Sequence, residues 1–144
     1  MTLEANTHYF EDLSVGMRET YTKQVTASDI EAFAHISGDR NPIHLDEDFA
    51  AKTPFGGCIA HGIFTAGLIS AAIAMRLPGP GTIYLSQTLR FLAPVRINDT
   101  VDATIEVIEL TQKGRRAKLK CECRVGDAVV LEGEAEVKAP TKPG

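Results

Sequence analysis

A chain of 144 residues, 44% hydrophobic and 24% charged, has the composition of an ordinary globular protein and the length to bury a sizeable core. Its net charge of −4 supplies no basic face for a phosphate backbone, so nucleic acid is not an expected partner. Met1 to Asn6 lacks the basic and then apolar pattern of a secretion signal, and the three cysteines, Cys58, Cys121 and Cys123, fit neither a disulfide framework nor a zinc spacing. A cytoplasmic protein with free thiols is the expectation.

In chain order, residues 1–8 read as a loose lead-in and Phe10 to Gly16 as a turn into a first strand near Arg18 to Val25. Thr26 to Asp29 carries N-cap chemistry, Ile30, Phe33, Ala34 and Ser37 recur at helical spacing, and Gly38 supplies the glycine that ends such a helix. The next segment, Ser37 to His44, sets a carboxylate (Asp39), a carboxamide (Asn41) and an imidazole (His44) within six residues on a loop. Each has an ordinary reading, Asp39 and Asn41 as turn residues and His44 as a satisfied loop histidine. Together they form a candidate acid and base pair.

Asp46 to Ala51 predicts a short helix capped by Asp46, and Thr53 to Gly57 a turn. Ile59 to Leu77 is apolar nearly throughout, which marks either a membrane span or a buried central helix. The internal His61 and Arg76, and the strands that follow, favour the buried helix. From there the pattern changes to period two. Ile83, Leu85, Gln87, Leu89 and Phe91 share one face of a predicted strand between Thr82 and Leu92. Val101 to Val107, Ala117 to Val125 and Val129 to Val137 alternate likewise, with turns at Lys113-Gly114 and Gly126-Asp127 and a tail after Lys138. The sum is one α+β domain over 1–144, ordered from about 8 to 138, with an antiparallel sheet curled around a long central helix. The open sheet edge predicts a homodimer joined edge to edge.

The run from Phe33 to His44, followed by Ala60-His61-Gly62 and by Gly81 to Pro94, resembles the MaoC-like (R)-specific enoyl-CoA hydratases. The likeness extends from about Phe10 to Val137. It implies a hot-dog fold, a homodimer with active sites at the subunit interface, and hydration of trans-2-enoyl-CoA thioesters to (R)-3-hydroxyacyl-CoA. It also implies that Asp39 and His44 share one water, that Asn41 orients the water or the Asp39 carboxylate, and that the Gly62 N–H receives the thioester oxygen. A helix starting near Ala60 would present free N–H groups at that point, although Gly62 also reads as a plain close-packing glycine.

Neither metal nor cofactor is expected, because the thioester itself activates C2 and C3. Ile63, Phe64 and Leu85 are candidates for the acyl chain and equally for core. Gly67 stands where some short-chain members of the family carry serine. Arg90, Arg96, Arg115 and Arg116 are candidates for the coenzyme phosphates and, more simply, surface charges. His61 reads as a structural residue hydrogen-bonded near the helix start. Three other functions fit the same features less well: a dehydratase acting on acyl carrier protein substrates, a thioesterase, and a non-catalytic acyl-thioester-binding subunit.

Overall fold

The computed structural model describes residues 6–144. After a short 3-10 turn at Phe10–Asp12 come β1 (Arg18–Gln24), α1 (Ala27–Ser37), α2 (Pro42–Leu45), α3 (Glu47–Ala51) and α4 (Gly62–Met75). They are followed by β2 (Ile83–Gln87), β3 (Arg90–Phe91), β4 (Thr100–Thr111), β5 (Arg116–Val125) and β6 (Ala128–Lys138). The strands form one six-stranded antiparallel sheet in the order β1-β4-β5-β6-β2, with β3 paired to the other half of β6.

The alternation in β4 and β5 is what builds the core. Val101, Ala103, Ile105 and Val107 on β4 and Leu119, Cys121 and Cys123 on β5 have no exposed surface, and α4 lays Leu68, Ile69, Ala72 and Ile73 against them. Each large aliphatic side chain buried in this way contributes about 1.5–3 kcal/mol. The architecture is the α+β sheet-around-helix arrangement expected, and among the described residues no helix is long and apolar enough to cross a membrane.

The tail after Lys138 is tied down, Ala139 being buried with its N–H on Arg115 O at 2.9 Å and the Lys142 N–H on Glu11 Oε1 at 2.8 Å, and the structure differs from the sequence expectations at five further places. Of the lead-in, residues 1–5 lie outside the described residues, but 6–8 are tied down, since Asn6 N–H donates to Met75 O at 3.0 Å and His8 N–H to Pro78 O at 2.6 Å. Second, the Ser37 to His44 segment is not wholly loop, because Pro42–Leu45 closes one helical turn that carries His44.

Third, α4 is shorter than Ile59 to Leu77, spanning about 21 Å at 1.5 Å per residue. Ile59 is instead bridged to Arg96, and Ala60 N–H donates to Val95 O at 2.7 Å, so extended backbone claims the first residues. At the far end Pro78 disfavours helical geometry at Leu77.

Fourth, the predicted strand from Thr82 to Leu92 is split into β2 and β3. Thr88 O crosses so close to β6 that a Cβ on Gly133 would lie 1.8 Å from it. The strand's apolar face is also only half-buried within the chain: Ile83, Leu85 and Phe91 are 55%, 44% and 52% exposed, with Phe91 resting against Gly62 of α4. Fifth, β6 carries an extra residue opposite β5, where Arg124 pairs with Val129 but Cys123 with Leu131. The bulge buries both Val130 and Leu131 and leaves Val129 half-buried, which breaks the expected Val129/Leu131 alternation.

Candidate active site

Local hydrogen bonds fix the segment between α1 and α2. Thr26 and Asp29 form a reciprocal capping box at the start of α1, and Gly38 ends it in the left-handed region at φ +83°, with its N–H on Ala34 O. Ser37 Oγ donates to Phe33 O at 2.7 Å and accepts the Asp39 N–H at 3.1 Å. Asp39 Oδ1 in turn accepts the Asn41 N–H at 3.2 Å. The Asn41 side chain is already engaged, its Oδ1 accepting the Ile43 N–H at 3.1 Å as the cap of α2, with Pro42 at the first helical position. Asn41 therefore orients the Asp39 carboxylate through its main chain, and its carboxamide oxygen holds the turn that presents His44.

His44 Nδ1 donates to the carbonyl of Ile59 at 2.8 Å. A carbonyl only accepts, so in the neutral ring the proton sits on Nδ1 and Nε2 keeps its lone pair. The His44 ring stacks on that of His61, with centroids 3.8 Å apart and planes inclined by 28°. His61 is buried, and its Nε2 donates to the main-chain oxygen of Asp39 at 2.9 Å. One oxygen of Asp39 and one ring nitrogen from each histidine lie within 4.8 Å of one another. The donor set has the composition of a metal site, with Nδ1 of His44 and Nε2 of His61 on carbonyls and the other nitrogen of each ring left to accept.

Gly62 is the first residue of α4, and His61 before it makes no side-chain cap, so the leading N–H groups of this helix keep their partial positive charge unspent. Beside it lies a cavity of about 440 Å³ whose walls include His44, Gly62, Ile63, Phe91, Val130 and Leu131. Apart from His44 and Thr65 the lining side chains are apolar. Behind the site, Glu47 Oε1 accepts the Cys58 N–H at 3.1 Å and ties α3 to the segment entering α4. Burial first, then the Glu47 carboxylate, pushes the Cys58 thiol up to about 11, so it is no nucleophile at neutral pH.

The fold thus sets His44, Gly62 and Ile63 on one cavity wall and Asp39 beside the two histidines, and places the two remaining acyl-chain candidates elsewhere. Phe64 is partly buried edge-on against Phe33, at 5.9 Å between centroids, on the α1 side of the helix. Leu85 lines a separate shallow groove with Gly67 and Ser70. Of the arginines, Arg96 donates to Phe55 O at 2.6 Å and Arg116 pairs with Glu136 at 3.1 Å, both structural roles. Three participants escaped the sequence reading. The Ile59 carbonyl is a backbone group with no sequence signal, Val130 reaches the cavity only through the bulge, and Phe91 looked like one more alternating strand residue.

Comparison with known proteins places these residues in a family. The profile described as "MaoC like domain" matches residues 14–129. The chain is 60% identical over 142 residues to a 3-hydroxybutyryl-CoA dehydratase of Methylorubrum extorquens, covering 99% of this chain and 90% of the relative. It is 47% identical to an (R)-specific enoyl-CoA hydratase of Rhodospirillum rubrum, with 94% of each covered. Among solved structures, the R-hydratase PhaJ1 from Pseudomonas aeruginosa superimposes with a TM-score of 0.89 at 45% identity, covering 93% of this chain and 86% of that one. The (R)-hydratase from A. caviae gives 0.88 at 41% identity, covering 90% and 99%.

Proposed function

This chain belongs to the MaoC-like domain family, and from that premise we propose that it reversibly hydrates trans-2-enoyl thioesters of coenzyme A to (R)-3-hydroxyacyl-CoA. The observation that carries the proposal is the Asp39 carboxylate beside a His44 ring whose Nε2 lone pair is free, both next to an uncapped helix start.

In the hydration direction Asp39 and His44 hold one water between them. Its proton passes to the pair as its oxygen bonds to C3, and the electrons of the C2=C3 double bond move onto the thioester oxygen as an enolate. The Gly62 N–H meets that developing charge, a contact worth about 3–4 kcal/mol per donor. The enolate then collapses, and the pair returns a proton to C2 on the same face, so one water is added and the enzyme is unchanged. Acid and base assistance contributes about 10²- to 10⁴-fold per group. The thioester supplies the activation, so turnover survives treatment with chelators. Relatives named for coenzyme A substrates, at 60% and 47% identity, favour that carrier over acyl carrier protein, which appears in the name of a relative at 31%.

The test is incubation with crotonyl-CoA, following loss of the conjugated enoyl absorbance and the configuration of the product. (R)-3-hydroxybutyryl-CoA is expected, with turnover nearly abolished in folded Asp39→Asn and His44→Gln proteins. No hydration of short or medium chains, or an (S) product, would overturn the reading. We also propose that two copies join along the β2/β3 edge, which leaves Ile83, Leu85 and Phe91 half-exposed in one chain. Light scattering should give twice the chain mass, and Leu85→Glu should shift it toward one.

A further inference from the structure

The proposed chemistry gives His61 no part, yet the structure does not treat it as filler. Its ring is 2% exposed, and its Nδ1 has no hydrogen-bond partner among the described residues. A buried polar atom left unpaired lowers stability, and an apolar residue of similar shape would avoid it. Packing alone therefore does not account for a histidine at this position.

Resting on the hydratase reading, we propose that His61 is a positioning residue that holds the Asp39–His44 pair at a fixed distance from the Gly62 N–H. Three contacts do this. The Nε2–H bond to Asp39 O, 2.9 Å long, fixes the main chain from which the carboxylate hangs. The ring face, 3.8 Å from the His44 ring, limits the tilt of that imidazole, while Phe33 backs His61 from 4.7 Å. The peptide bond to Gly62 joins these contacts to the helix start without a spacer. One residue thereby connects the two halves of the site, the proton-handling loop and the oxyanion donor.

The same residue leaves the helix start open. His61 occupies the cap position of α4 but makes no side-chain cap bond. A serine, threonine, aspartate or asparagine there would accept one of the leading N–H groups. The imidazole instead reaches away to Asp39, so the donors stay directed outward.

Two variants separate the donor from the ring. In His61→Gln the amide nitrogen can replace Nε2 as donor, and in His61→Phe the ring stays while the donor is lost. The Asn41 amide, bonded to Asp39 Oδ1, reports in NMR on the titration of that carboxyl without any need for turnover. Its shift is expected to follow Asp39 in the wild type and in His61→Gln, and to lose that dependence in His61→Phe. In kinetics, His61→Phe should lower kcat about 100-fold, the scale of a misplacement near 1 Å, with KM little changed and most activity kept by His61→Gln. In an Asp39→Asn background His61→Phe should cost nothing more, as expected for residues acting through one another.

A folded His61→Phe that keeps both the Asn41 response and kcat would overturn the proposal, as would a penalty that simply adds to that of Asp39→Asn. If His61→Phe does not fold, His61→Gln decides the matter, since loss of the Asn41 response there is equally fatal. A wild type with no hydratase activity would sink the function, while the Asn41 response would still decide the placement of Asp39.

Discussion

Replacing Gly62 with alanine adds one methyl group where the site leaves no room for it. A Cβ built on Gly62 lies 2.6 Å from Phe91 Cε1 and 2.8 Å from Cδ1. Carbon pairs settle at about 3.5–4.0 Å, so the Phe91 ring must retreat by about 1 Å. That ring is half-exposed in one chain, on the edge proposed to meet the second copy, and an alanine near a helix start is no worse than glycine for the helix. Stability should change by less than about 1 kcal/mol.

Turnover should respond differently. In a helix Cβ tilts toward the N-terminus, so the new methyl stands in the space a thioester oxygen must enter to reach the N–H. Loss of one oxyanion donor lowers kcat by about 10²–10³, and a fall in that range is expected in crotonyl-CoA hydration, beside a thermal midpoint within a few degrees of wild type. Gly62→Ala/Phe91→Ala discriminates between two causes: removing the ring should not restore the rate if the methyl itself blocks approach. Wild-type kcat in Gly62→Ala would refute the oxyanion assignment. Restoration by Phe91→Ala would move the cause to the ring.

Two further outcomes test the scaffold. Burial alone would raise the Asp29 carboxyl, but the Thr26 N–H and hydroxyl and the Lys23 ammonium at 3.1 Å together hold it below its ordinary value. A depressed folded value means that this contribution is present above the unfolded carboxyl range and is lost as pH falls below about 4. Asp29→Ala, which removes the carboxylate that accepts the Thr26 N–H and pairs with Lys23, should cost about 1 kcal/mol at pH 7 by urea titration and correspondingly less at pH 3, and a pH-independent penalty would count against the carboxylate's part in the capping box. Burial also pushes Cys121 up to about 11 and Cys123 to about 12. With Cys58 likewise buried, none of the three thiols should react quickly with a disulfide reagent at pH 8, and all three should do so in guanidinium; a fast native thiol would show that the core opens.

What could be read from the sequence was what local chemistry decides. The capping box, the glycine stop and the Asp46 cap are each settled within a few residues, and β4 and β5 alternate cleanly because one face of each meets α4. The Asp39–His44 pair belongs to the same class, since its carboxylate is oriented by Asn41 N–H and its imidazole is presented by one turn capped from Asn41. Where legibility failed, the deciding partner was distant in the chain or absent from it. Ile59 and Ala60 leave the helix because Arg96 and Val95 take their backbone, and Val130 turns inward because β6 is one residue longer than the stretch of β5 it faces. Leu85 and Phe91 look like core by alternation, yet in one chain they are only about half covered.

This division runs through the site as well. The groups that handle the proton come from one short segment, whereas the cavity wall around His44 is assembled from α4, β3, β6 and the approach to Val95. A change in the loop should therefore alter the rate for every substrate alike. A change at Val130 or Phe91 should alter which acyl chain is accepted, because those side chains line the cavity and carry no group that can handle a proton.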